Sequence, residues 1–296
     1  MLRRLPIFLL TCILTFAGVN KLARFPHHES LDFCFEDDFR TLDTLQGHYS
    51  IILGNSRSLS GIHGPTLSNF SQETFLHLGY SSSDMVTAQL TLTYALRQNP
   101  DLERVIIEVS PFHFDSRRVH SHGIRNYFFQ KEPRLLISQG KTWADFSNVL
   151  PKSSTLPQLK MTISSDLSRS DFSRRWDCNF KFKRNKLNWI KVIPNQRLIF
   201  EESQILALNE ISSICKARGV KLIVIFAPTD TVFQDYLENY WDYKTLVEST
   251  LETDQLILDF DQGQFQEYLK DADHIGCPEK FTKEIIIPAL PELRSP

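Results

Sequence analysis

The stretch "IILGNSRSLSGI", Ile51–Ile62, brings a short apolar run to Gly54 and at once delivers Asn55 and Ser56, with a second glycine at Gly61. An apolar run ending on glycine reads as a buried strand followed by a tight turn. A serine in that place can cap the next helix. It can also be a nucleophile held at the end of a sheet, and the rest of the chain has to separate the two.

Outward from that run the elements alternate. Tyr49–Leu53 is the first expected strand and Thr74–Leu78 the second. Ser82 or Ser83 then caps a helix that stops near Asn99-Pro100. "RVIIEVSP", with Val105–Val109 as its strand, is apolar on both sides, as suits a parallel strand covered on both faces. Alternation returns at Glu201 with a long helix ending at Gly219, the strand "KLIVIFAP", a helix across Phe233–Leu251, the strand "QLILDF" and a last helix from Pro278 to about Leu290. Strands alternating with helices predict a parallel sheet with helices on both faces, an α/β fold whose ligands sit at the C-terminal strand ends. The expected organisation is an N-terminal segment 1–24, a linker 25–48 and an α/β domain 49–296 with an insertion over 112–198.

The 296 residues suffice for one large α/β domain, and a net charge of -2 implies no nucleic-acid partner. "MLRRLPIFLLTCILTFAGVNKLARF" places two arginines before an apolar run from Leu5 to Val19. That matches a secretory signal peptide or, counted through Ala23, an uncleaved membrane anchor with the main domain outside. An export route permits disulfides, and the sequence leaves the pairing of Cys34, Cys178 and Cys277 open; Cys215 reads as core.

Near the C-terminus, "DADHIGCPEKFTKEII" sets Asp271 three residues before His274, just ahead of the last helix. An acid three before a histidine on a turn can reach its ring and hold the tautomer that accepts a serine proton. Asp273, the immediate neighbour, is expected to point away. Both ends of the domain thus bring triad members to one sheet edge.

Gly54-x-Ser56 followed by Gly61, with Asp271-x-x-His274 before the final helix, resembles the GDSL/SGNH hydrolase superfamily over residues 49–111 and 200–290. The resemblance implies a flavodoxin-like sheet and an esterase, lipase or carbohydrate O-acyltransferase. Ser56 is then the nucleophile, His274 the base and Asp271 the orienting acid. The implied oxyanion donors are the N–H of Ser56 and that of a residue after the second strand, where Ser82 stands at the family's glycine and Gly79 lies three before it. The third block departs from the family: "EVSPFHF" has no asparagine, leaving Ser110 or an insertion residue to substitute. The pattern is most similar to a divergent membrane-anchored branch that includes proteins moving acyl groups onto cell-surface polysaccharides. It implies an acyl-ester or carbohydrate substrate and no cofactor or metal. The alternative is a catalytically inactive anchored module that binds glycan or protein.

Three further stretches have plainer readings. His120 and His122 read as surface loop, with a metal held together with another partner as the alternative. Arg174–Lys191, basic and aromatic, is a solvated face or a contact for an anionic glycan or lipid surface. Pro228-Thr229-Asp230, at the end of the fourth strand on the same edge, reads as a turn and helix cap, with a substrate contact as the alternative.

Overall fold

A computed structural model describes residues 38–80, 83–116 and 196–293. The anchor expectation at 1–24, Ser82, the His120/His122 pair and the basic stretch 174–191 lie outside these residues. Among the described residues no helix is long and apolar enough to cross a membrane.

The chain begins its described course with helix α1 (38–44) and continues through β1 (Tyr49–Leu53), α2 (Ser56–Gly61), α3 (Gly64–Ser71), β2 (Thr74–His77), α4 (Met85–Gln98) and β3 (Leu102–Glu108). After the segment 117–195 come α5 (Glu202–Arg218), β4 (Lys221–Phe226), α6 (Thr231–Tyr236), α7 (Asp242–Thr250) and β5 (Leu256–Asp259). The last helical stretch is α8 (Pro278–Phe281), a π turn (Thr282–Ile286) and α9 (Ile287–Ala289).

The five strands are all parallel, in the order β2-β1-β3-β4-β5. This is the flavodoxin-like order, and its direction reverses between β1 and β3, which opens a crevice at their C-terminal ends. The strands are buried on both faces, so successive residues serve opposite cores. Ile51, Leu53, Val105, Ile107, Leu222 and Val224 join one apolar cluster, with α4, α5 and α7. Ile52, Ile106, Ile223 and Ile225 join the other, with Leu67, Phe281 and Ile286.

Four expectations change in detail. The cap of α4 is Asp84, whose Oδ1 accepts the Thr87 N–H at 2.8 Å, in place of the expected Ser82 or Ser83. The 25–48 linker is in part packed structure. Phe39 and Leu42 of α1 are buried with Ile51, and Asp38 and Asp43 accept hydrogen bonds from Tyr80 and Tyr94. The 112–198 insertion narrows, because Phe114 and Leu198 are core residues and Asp115 pairs with Phe200. The single helix across 233–251 is two, α6 and α7. Between them Gln196 pairs with Leu237, and the Asn239 amide bonds the backbone of Leu198, so the chain returning at 196 interrupts the helix.

Candidate active site

Ser56 follows β1 at the crevice. Gly54 has φ 135°, and a Cβ on it would meet Ser58 Cβ at 2.8 Å and Glu108 Cβ at 3.1 Å, so only glycine fits the turn. Asn55, not Ser56, is the helix cap: its Oδ1 accepts the Arg57 N–H at 2.8 Å. Ser56 is therefore the first helical residue, half-buried, with a backbone N–H that has no intrahelical acceptor. The serine is released from the capping role that its position in the sequence allowed.

The base arrives on a small hairpin. Leu269 and Ile275 pair across it and are buried, and Lys270 donates its N–H to the His274 carbonyl at 2.7 Å. At its tip Asp271 Oδ1 accepts the N–H of Asp273 at 3.2 Å and of His274 at 3.0 Å. The same oxygen lies 2.9 Å from His274 Nδ1, while His274 Nε2 lies 2.9 Å from Ser56 Oγ. Serine, imidazole and carboxylate stand in line, with hydrogen-bond contacts at both ring nitrogens.

Asp273 does not point away. Its Oδ1 lies 3.1 Å from the same Nδ1. The two N–H bonds to Asp271 tighten the turn enough to converge both carboxylates on one ring edge. Burial pulls the ring's affinity for protons down, but the carboxylates of Asp273 and Asp271 outweigh it and push His274 up to about 10. Asp271, Asp273 and His274 also present ligand atoms within 4.8 Å of one another, the one such metal-capable group among the described residues. The hydrogen bonds of the ring and the turn already account for that convergence.

The oxyanion candidates fare differently. Ser82 lies outside the described residues. Gly79 is packed where a Cβ would strike Ser58 Oγ at 2.3 Å and Gly54 O at 3.0 Å, so glycine there lets the chain after β2 close on the Ser56 turn. Its N–H faces His77 Nδ1 at 3.3 Å. Ser110 is fully buried. Its hydroxyl accepts the Asn55 amide at 3.1 Å and contacts His113 Nδ1, to which its N–H also donates. Ser110 thus braces Asn55 with donors that are already engaged.

Two residues that the motif reading did not single out lie beneath the serine. Arg57 and Glu108 are fully buried and pair at 3.4 Å. Burial pushes the Glu108 carboxyl up to about 7, against Arg57 and the Asn55 backbone, which hold it down. The available signal was one charge in each of two otherwise small or apolar strand ends, "GNSRS" and "IIEVS". Thr229 and Asp230 behave as a turn and cap: Asp230 accepts the Val232 N–H at the start of α6.

No protein-family model matches the chain, and no curated protein matches it in sequence. Among solved structures it is similar to a protein from Streptococcus pneumonia assigned as a platelet activating factor, at 11% identity and TM-score 0.42, over 94% of this chain and 99% of that one. It is also similar to a protein from Desulfitobacterium hafniense DCB-2 assigned to the lipolytic G-D-S-L family, at 11% identity and TM-score 0.35, over 80% and 98%. Likeness at that level carries no chemistry across. The α/β fold stands on the strand order, which is the flavodoxin-like order that the sequence resemblance implied.

Proposed function

We propose that the chain is a serine-dependent acyl-ester hydrolase or O-acyltransferase. The observation that carries this reading is the line from Ser56 Oγ to His274 Nε2 at 2.9 Å, with Asp271 at 2.9 Å from Nδ1. Ser56 Oγ attacks the ester carbonyl while its proton passes to Nε2. The tetrahedral adduct expels the alcohol, which takes that proton, and leaves an acyl-serine. Water or a sugar hydroxyl then attacks the acyl-serine, giving its proton to His274; the Ser56 Oγ–acyl bond breaks, the acyl group goes to the acceptor, and His274 returns the proton to Oγ. Asp271 and Asp273 hold the imidazolium that forms in each half. A cell-surface carbohydrate ester is the proposed substrate class, with the domain outside the cytoplasm on an N-terminal anchor or released by cleavage. The arginine-flanked apolar run at the N-terminus supports that placement, as does a disulfide-bonded Cys277.

The test is labelling with a fluorophosphonate, together with hydrolysis of an activated acetyl ester. Ser56 is expected to be labelled in the parent and the signal to vanish in Ser56→Ala. A folded parent that neither labels nor turns over ester refutes the catalytic reading and leaves the alternative, an anchored binding module. The engagement of Ser110 favours that second reading, because it leaves the missing asparagine's place unfilled by that residue.

A further inference from the structure

Arg57 follows Ser56 directly, yet its side chain turns away from the crevice and is 1% exposed. Its Nε faces Glu108, the last residue of β3, at 3.4 Å. Its Nη2 donates to Ala227 O, to Pro228 O at 3.2 Å and to Thr229 Oγ1 at 3.0 Å, all in the loop after β4. That loop is tied in turn to the base hairpin. Asp230 donates its N–H to Ala272 O at 2.8 Å, between Asp271 and Asp273, and Gln266 Nε2 donates to Thr229 O at 2.9 Å. Behind the loop, Tyr240 bonds both Thr229 Oγ1 and the buried Asp261 carboxylate, which also accepts from Tyr243 and Gln234. The loop is thus held on its far side as well.

Ser56 and His274 are 218 residues apart in sequence and belong to different elements, so their 2.9 Å contact needs a path through the fold. The path just described runs from the Ser56 turn through one guanidinium to the β4 loop, and from there to Ala272 on the hairpin. We propose that Arg57 is a positioning residue: anchored by Glu108, its guanidinium fastens the loop after β4 to the nucleophile turn and thereby sets the distance between Ser56 and His274. The proposal rests on the catalytic reading above for its kinetic consequences, but not for its geometric one. A planar fork can face a carboxylate on one edge and several oxygens on another. A lysine ammonium keeps the charge and cannot span both.

The test is Arg57→Lys, which preserves the partner of Glu108, with the double variant Arg57→Met/Glu108→Gln, which leaves no buried charge unpaired. Displacement of one reacting group by about an ångström costs ~10²-fold in rate. Arg57→Lys is therefore expected to lower kcat by that order, with KM within a few-fold of the parent and the rising limb of the pH profile, set by His274, unmoved. Fluorophosphonate labelling of Ser56 slows in parallel, and the double variant shows the same loss. A crystal structure of Arg57→Lys reads the geometry whatever the activity: the Ser56–His274 pair is expected to open beyond hydrogen-bond reach. A pair kept at the parent distance overturns the proposal, as does an unchanged kcat in an active background or a loss confined to KM. Failure of both variants to fold also overturns it, since Arg57 is then a stability residue. An inactive parent whose Arg57→Lys variant still opens the pair refutes the catalytic reading and leaves the brace standing.

Discussion

The turn after β1 and the turn at the tip of the 268–276 hairpin meet across 2.9 Å and are built in opposite ways. In the first, Gly54, Asn55, Arg57 and Ser58 are buried and Ser56 alone is partly open. Its bonds reach into β3, the β4 loop and the backbone after β2. In the second, Asp271, Asp273 and His274 are all half-buried, and most of their bonds close within four residues. The nucleophile is held by the core, the base by its own loop. Substitutions around Ser56 should therefore register as lost stability, and those around His274 as altered chemistry on an intact fold.

The first side has two exceptions: Arg57→Lys, which acts through the brace, and removal of the nucleophile, because among the described residues Ser56 Oγ bonds only forward, to the ring. Ser56→Ala is expected to cost ~10⁴-fold or more in turnover of an activated acetyl ester with little change in melting temperature. Adding His274→Ala should cost little more, since triad members act as a unit. A large second loss, measured on the double variant, would mean that the two act separately.

Next in size are the two acids. A triad with one orienting acid loses ~10⁴ in kcat when that acid becomes an amide. Here two carboxylates share Nδ1, so Asp271→Asn and Asp273→Asn should each lose much less than that, and the double variant should approach it. The pH profile separates them further. His274 must be neutral to accept the serine proton, and its affinity is raised to about 10, so kcat/KM should climb with pH toward that value. Asp273 is the larger of the two charge contributions; removing its charge weakens the imidazolium, lowers the affinity and moves the rising limb to lower pH. A limb that stays in place in Asp273→Asn would count against the shared arrangement.

On the nucleophile side the effects are in stability. Gly54→Ala forces a side chain onto φ 135° and into Ser58 Cβ, and it should destabilise by about 2 kcal/mol in chemical denaturation. Smallest is Asn55→Ala, which removes the α2 cap and the Ser110 bond and should cost about 1 kcal/mol. A loss of turnover without a loss of stability in either variant would break the contrast between the two turns.

The same contrast explains what was legible in the sequence. Strand β1 was read to the residue, because an apolar run ending in glycine is a local signal. Ser56, Asp271 and His274 were found through spacing and resemblance, and the fold brings all three together. Alternation of side-chain direction turns Asp273 away from the ring; the turn's tightness comes instead from the Asp271 carboxylate binding two backbone N–H groups, which no alternation rule includes. Helices α2 and α3, at six and eight residues, leave little trace between the first two strands, where short amphipathic runs carry little periodicity. The pairing of Arg57 and Glu108 carries no local signal, because it joins residues 51 apart in sequence on different elements, and burial is what reveals it. The split between α6 and α7 depends on Gln196, on the far side of a long intervening segment.

That segment has one further consequence. Ser116 donates its N–H to Ile199 O, Glu201 donates to Phe114 O, and Asp115 pairs with Phe200, so the two ends that flank 117–195 are hydrogen-bonded to each other. Because these ends are fixed against each other, the length between them enters through the entropy of closing the loop. Doubling that length raises the closure entropy by only about 0.6 kcal/mol. A change in the length of 117–195 is therefore expected to cost the described sheet little through chain entropy, which makes the paired ends at 114–116 and 199–201 the natural points at which to cut and rejoin the chain.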